Sequence, residues 1–179
     1  MNKQNDTYKT FAQTMLASAN ERHARAAELE AIHNDTDDDD TKREYLRTRT
    51  HAEYDAKVSG MSESAQRFAC DVLSADASDI AKQSRELKKR MIAACESAAN
   101  KVRTRDKAMN AFIDTLKSGN RKQFTLEQVQ TIMQHKTATQ ARNLRTILQY
   151  FGALEKCDAD SFTVKRDHAL IVALIDAAK

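Results

Sequence analysis

From Thr7 to His33, the residues Tyr8, Phe11, Met15, Ser18, Arg22, Arg25, Leu29 and Ile32 recur at alternating intervals of three and four. That is heptad spacing and predicts a helix, although the middle of the seam is polar or basic. Asn34 to Asp40 (NDTDDDD) breaks the pattern, and Thr41 with Glu44 forms a T-x-x-E capping signature. A second helix is therefore expected from Thr41 to about Val58, with a further break at Ser59-Gly60.

A third helical stretch is expected from Ser62 to about Arg105. Ala65, Phe68, Val72 and Ala75 make one stripe, and Ile80, Ser84, Leu87, Met91, Ala94 and Ala98 make another, with a phase slip across Asp76–Asp79. Small residues on these stripes admit close helix neighbours. A thin apolar stripe cannot stabilise a helix alone, so a partner surface is required. A helical hairpin within the chain and a dimeric coiled coil both satisfy the pattern.

The texture changes at Lys107. Ala108, Met109, Phe112, Ile113 and Leu116 form a compact face ended by Ser118-Gly119-Asn120, where glycine marks a helix stop. No clear break separates this helix from the stretch before it. Thr125-Leu-Glu-Gln128 and Thr137-Ala-Thr-Gln140 are T-x-x-Q capping boxes. They predict two short helices joined by a tight turn at His135-Lys136. Leu126, Val129, Ile132 and Met133 share one face of the first. Ala141, Leu144, Ile147, Leu148 and Phe151 share one face of the second. Gly152 can supply a turn, Ala153–Lys156 a strand, Asp158–Ser161 a second turn, and Phe162–Lys165 a return strand.

This segment, from Lys107 to Ala178, resembles the winged helix-turn-helix family. The matching residues are Thr125, Leu126, Val129, Thr137, Ala141, Leu144, Leu148, Gly152 and Leu154. The resemblance covers about two-fifths of the chain and implies a double-stranded DNA reader, by analogy of fold alone. At about 100° per residue, the side of the second helix opposite its apolar stripe carries Thr139, Arg142, Asn143, Thr146 and Gln149. Arginine and amide side chains can bond guanine and adenine edges in the major groove. Gln140 falls nearer the buried side and is assigned to capping. Lys136 and Arg145 suit phosphate contacts, and Lys165 and Arg166 are expected where a wing approaches the backbone. Two features depart from the family: His135 or Lys136 stands where many members have a glycine in the turn, and Asp158 and Asp160 make the wing acidic.

Composition agrees with a helical chain. Its 179 residues include no proline, no tryptophan and three glycines, so little interrupts helices. The net charge of +3 is unevenly spread. Residues 1–60 carry 9 basic and 12 acidic side chains, whereas residues 106–179 carry 11 and 8. Residues 61–105 carry 9 and 6, so the positive excess lies in the half of the chain that contains the candidate reader. Cys70, Cys95 and Cys157 are dispersed and show no ligand spacing with the histidines, so reduced packing thiols are expected and no metal site. Asp35, Asp37 and Asp39 have calcium-loop spacing. Asp40 at position six and Leu46 at position twelve replace the glycine and glutamate such a loop needs. No phosphate-cradling glycine loop or nucleophile–base set stands out, so neither enzymatic activity nor a cofactor is expected. The N-terminus lacks a signal-peptide core, and Ala169–Ile175 is too short to span a membrane. The apolar residues of His168–Ala178 spread over more than half the helix, which points to burial against either another subunit or the N-terminal helices.

These observations give a mainly α chain: long N-terminal helices over residues 1–105, then a winged helix domain with a small β-hairpin over 106–179. The expected function is non-enzymatic DNA binding, in transcription or as a replication or partition accessory, by a dimer or higher oligomer. The expected location is the cytoplasm, or the nucleoid or nucleus when DNA-bound. The alternative is an adaptor or assembly protein whose helical rod and winged helix bind other proteins.

Overall fold

The computed structural model describes residues 3–73, 76–134 and 137–178, with side chains from Tyr8 onward. The chain is mainly helical, with one small three-stranded antiparallel sheet. It divides into two compact units. One comprises Met1–Met61 with Asp76–Lys88, the other Ser62–Ala75 with Lys89–Lys179.

In the first unit, α1 (Lys3–Thr36) and α2 (Asp39–Ser59) form a helical hairpin. Tyr45 Oη donates to Glu30, and Ser18 Oγ donates to Asp55. Numbers therefore fall on one helix as they rise on the other, so the pair is antiparallel. The expected break at Asn34–Asp40 contracts to Asp37 and Asp38. Asp37 takes the left-handed conformation (φ 50°), and Asp38 is the N-cap of α2, accepting from Thr41 N at 2.7 Å. The Thr41–Glu44 capping box is thereby overturned. The Asp38 carboxylate also takes the Thr41 hydroxyl at 2.6 Å, leaving Thr41 one turn inside the helix. Bonding by Thr41 holds the Asp38 carboxyl below its usual range. Asp35 lies inside α1, so the aspartates do not form a cation loop.

The expected α1 seam needs a second correction. Phe11, Met15, Ala19, Ala26 and Leu29 are buried, but Arg25 is exposed and Ile32 is 46% exposed. Ser18 and Arg22 lie on the seam because Asp55 of α2 is there. Asp55 is fully buried and pairs with Lys88, also fully buried, and with Arg22 at 3.0 Å. Lys88 stands in the first turn of α5 (Arg85–Asn100). Lys88 Nζ and Arg22 Nη2 both donate to the carbonyl of Ala81, at 2.9 and 2.8 Å, closing α4 (Ala77–Ala81) onto the group. Charges inside a core are tolerated because each is paired and hydrogen-bonded.

His51 stands in the field of this group, and its buried Nδ1 has no hydrogen-bond partner among the described residues. Burial, then the charges of Lys88, Arg22 and Arg47, push its pKa below the ordinary 6.5, against an opposing pull from Asp55. Acid protonates the unfolded chain at this histidine before the folded one. The stability that His51 contributes is complete above pH 6.5 and falls as pH drops below it. His168 is lowered in the same direction, mainly by burial. We expect His51→Gln to flatten the loss of stability in urea titrations between neutral pH and pH 5.5.

The stretch expected to be helical from Ser62 to Arg105, with a phase slip across Asp76–Asp79, is interrupted. The breaks give α3 (Glu63–Val72), then the short α4 of the first unit, then α5. These breaks occur without glycine or proline. Ser62 Oγ accepts from Ala65 N, Leu73 is extended, and Lys101 ends α5 in the left-handed region (φ 55°). Asp106 then caps α6 (Lys107–Ser118), accepting from Ala108 and Met109, so α5 does not run into α6. Ser84, expected on the apolar stripe, is exposed, whereas Ala65, Val72, Ile80, Leu87, Met91, Ala94 and Ala98 are buried. Ala75 lies outside the described residues.

After α6 come β1 (Gln123–Thr125), α7 (Leu126–Ile132), α8 (Ala138–Tyr150), β2 (Leu154–Cys157), β3 (Ser161–Val164) and α9 (Ala169–Ala177). The central strand is β3, with β1 and β2 antiparallel on either side. Phe124 pairs with Phe162 across β1 and β3, and their rings stack at 5.9 Å. Phe112 of α6 meets both rings, at 5.0 and 6.2 Å. This aromatic trio, with Leu116, Val129, Leu144, Leu148, Phe151 and Leu170, forms the buried core. The apolar surplus on α9 is largely covered: Leu170, Ile171 and Leu174 are buried, Ile175 is half-buried, and Val172 alone of these stays 43% exposed.

Candidate nucleic-acid interface

Both T-x-x-Q sequences form complete capping boxes. Thr125 and Gln128 start α7, and Thr137 and Gln140 start α8. In α8, Thr137 Oγ1 accepts from Gln140 N and Gln140 Oε1 accepts from Thr137 N. These bonds fix where the helix begins and therefore which residues face outward. Ala141, Leu144, Ile147 and Leu148 are buried, while Thr139, Arg142 and Gln149 are exposed and Asn143 and Thr146 half-buried. Thr146 Oγ1 donates back to the Arg142 carbonyl at 2.9 Å, leaving its lone pairs free. Between Ala138 and Tyr150 there are two arginines and no carboxylate. The outer face of α8 can thus offer donors to an acceptor-rich surface without local repulsion.

Lys136 lies outside the described residues, as does His135. The turn before them reaches the left-handed region at Gln134 (φ 59°), a conformation that costs a non-glycine residue some strain. Gly152 takes the same region after α8 (φ 69°), where glycine is at ease.

The remaining candidate cations are held by the protein itself. Arg145 is half-buried and donates to the carbonyls of Asp158 and Ala159 in the hairpin turn. Lys165 Nζ donates to the Gly152 carbonyl at 3.0 Å. Arg166 donates to the carbonyls of Leu116 and Gly119, closing the C-terminal end of α6. Lys165 and Arg166 follow β3, and Lys165 N bonds Ala153 O. They therefore stand at the base of the hairpin, at the opposite end from its turn. At the turn, the backbone of Asp158 and Asp160 is engaged: Asp158 N donates to Ser161 O, and Leu126 N to Asp160 O. The side chains of both are exposed residues beside the start of α7.

Two features were missed from the sequence. The first is β1, whose Gln123-Phe124-Thr125 alternation is a strand signal only three residues long. The second is the pair Arg121 and Lys122, which β1 carries to the hairpin base, with Val164 N bonding Lys122 O. A groove of about 500 Å3 lies elsewhere in this unit, lined by Ile92, Ala93, Val102, Lys89, Glu96 and Arg105 among others.

Among the described residues, no group of three or more His, Cys, Asp or Glu side chains is arranged to hold a metal ion, and no helix is long and apolar enough to cross a membrane. No protein-family model, curated protein or solved structure matches the chain.

Proposed function

We propose that residues 106–178 are a winged helix-turn-helix module and that the chain binds double-stranded DNA, with α8 in the major groove. The observation that carries this reading is the order α6–β1–α7–α8–β2–β3 together with the strand arrangement β1-β3-β2. That order, a capped second helix followed by a short hairpin, supports the winged helix reading. The carboxylate-free outer face of α8 adds electrostatic support. The biological setting we favour is transcriptional control, or an accessory role in replication or partition. Two copies held through their helical regions would raise effective concentration at paired sites.

In this reading Arg142 and Asn143 contact base edges. Replacing both by alanine should weaken binding to a preferred duplex by about tenfold or more at fixed salt, and flatten discrimination among sequences. Both side chains point away from the core, so circular dichroism should be unchanged. Equal affinity and equal preference in the variant would remove α8 as the reader.

A second reading, a non-enzymatic adaptor, is favoured by the commitment of Arg145, Lys165 and Arg166 to backbone carbonyls and by the acidic turn. The two readings differ in their salt response. A DNA binder loses affinity for random duplex steeply as salt rises, whereas an adaptor binds little at any salt concentration.

A further inference from the structure

One end of the sheet gathers positive charge that the reading helix does not account for. Arg166 bonds the carbonyls of Leu116 and Gly119, Val164 N bonds Lys122 O, and Lys117 Nζ bonds the Ala178 carbonyl. These bonds bring Lys117, Arg121, Lys122, Lys165 and Arg166 to the hairpin base. The segments 117–122 and 165–178 contain those five cations against two carboxylates, Asp167 and Asp176. Arg121 and Lys122 are exposed, and neither makes a salt bridge or side-chain hydrogen bond among the described residues. The opposite end of the hairpin is acidic, with Asp158 and Asp160 exposed at the turn.

Helix α8 connects the two ends. Arg145 reaches the turn, while the Gly152 carbonyl just past the helix accepts from Lys165 at the base. Arg142 and Tyr150, the last residue of α8, are about 12 Å apart along the helix axis, at 1.5 Å per residue. The major groove is about 12 Å wide between its phosphate walls. The basic end therefore lies about one groove width along α8 from Arg142, whereas the acidic turn lies beside Arg145, one helical turn from it, where its carboxylates would repel a phosphate strand.

We propose that the hairpin base, through the free side chains of Arg121 and Lys122, holds the phosphate backbone of the duplex that α8 reads. The hairpin turn is not the phosphate contact. This inference rests on the DNA-binding reading above.

The test is fluorescence anisotropy of a labelled mixed-sequence duplex with the full chain, across about 50 to 200 mM salt. Removing two phosphate contacts with R121A/K122A should lower the slope of log affinity against log salt by about two. Asp160→Lys, which adds a cation to the turn, should leave that slope unchanged. The proposal is overturned if the first variant keeps the wild-type slope, or if the second steepens it. It is also overturned if the wild-type chain binds phosphatidylserine vesicles through these residues but no duplex. Wild-type binding with an unaltered R121A/K122A slope removes this contact alone. A wild-type chain that binds no duplex removes the DNA-binding reading as well.

Discussion

Asp55→Ala is expected to destabilise the α1–α2 unit by about 3–5 kcal/mol, measured by urea unfolding followed at 222 nm. Asp55 is the single acceptor on which Ser18, Arg22 and Lys88 converge, and its side chain and that of Lys88 have no solvent exposure. Removing it leaves the Lys88 ammonium buried with only the Ala81 carbonyl for company. Burial already pulls the Lys88 pKa down, against the hydrogen bond and charge of Asp55, so losing Asp55 strengthens the pull. The reverse deletion should be milder. In Lys88→Met the carboxylate keeps Arg22 and Ser18, and a similar volume fills the space. Asp55→Leu combined with Lys88→Met should recover most of the loss, because two charges that need each other are removed together. A double variant no more stable than Asp55→Ala would show that the pair does more than neutralise itself.

Phe112→Ala should cost about 3–5 kcal/mol in the second unit, through lost burial and the cavity left behind. Phe112 is fully buried on α6, and its ring meets both Phe124 of β1 and Phe162 of β3. The β1–β3 pairing is three residues long, too short to persist on backbone hydrogen bonds alone. The ring therefore fastens the sheet to the helices as well as filling space. Phe112→Leu should cost less than half as much. Hydrogen exchange should show the amide of Phe124 losing protection first in the alanine variant; unchanged protection there would contradict the fastening role.

The parts legible in the sequence were those encoded within a few residues. Both T-x-x-Q boxes lie within four consecutive positions and set α7 and α8 without tertiary help. The hairpin was visible for the same reason, displaced by one residue. The breaks between α3, α4 and α5 showed in the sequence only as a phase slip across Asp76–Asp79, because no glycine or proline interrupts the helical pattern there. Strand β1 was hidden because its pairing partner lies nearly forty positions later. The Asp55–Lys88 pair was invisible because its members lie thirty-three positions apart, and the tethering of Arg145, Lys165 and Arg166 for a further reason. A backbone carbonyl acceptor has no residue type, so no motif announces it. Local spacing could place the outer face of α8, but only the assembled sheet separates a basic end from an acidic one.

The three thiols fall into very unequal environments. Burial drives the Cys95 thiol far above its ordinary range, and burial with the nearby Asp71 raises half-buried Cys70. Cys157 is exposed on the outer strand β2, beside the turn that Arg145 grips. Since the thiolate is the reactive form, a maleimide dye at neutral pH attaches to Cys157 well before the others. The wild-type chain thus carries its own attachment point for a fluorophore, one residue from the acidic turn and at the far end of the hairpin from Arg121 and Lys122. Distances from that point to a labelled duplex end would report which way round the hairpin lies, without any engineered cysteine.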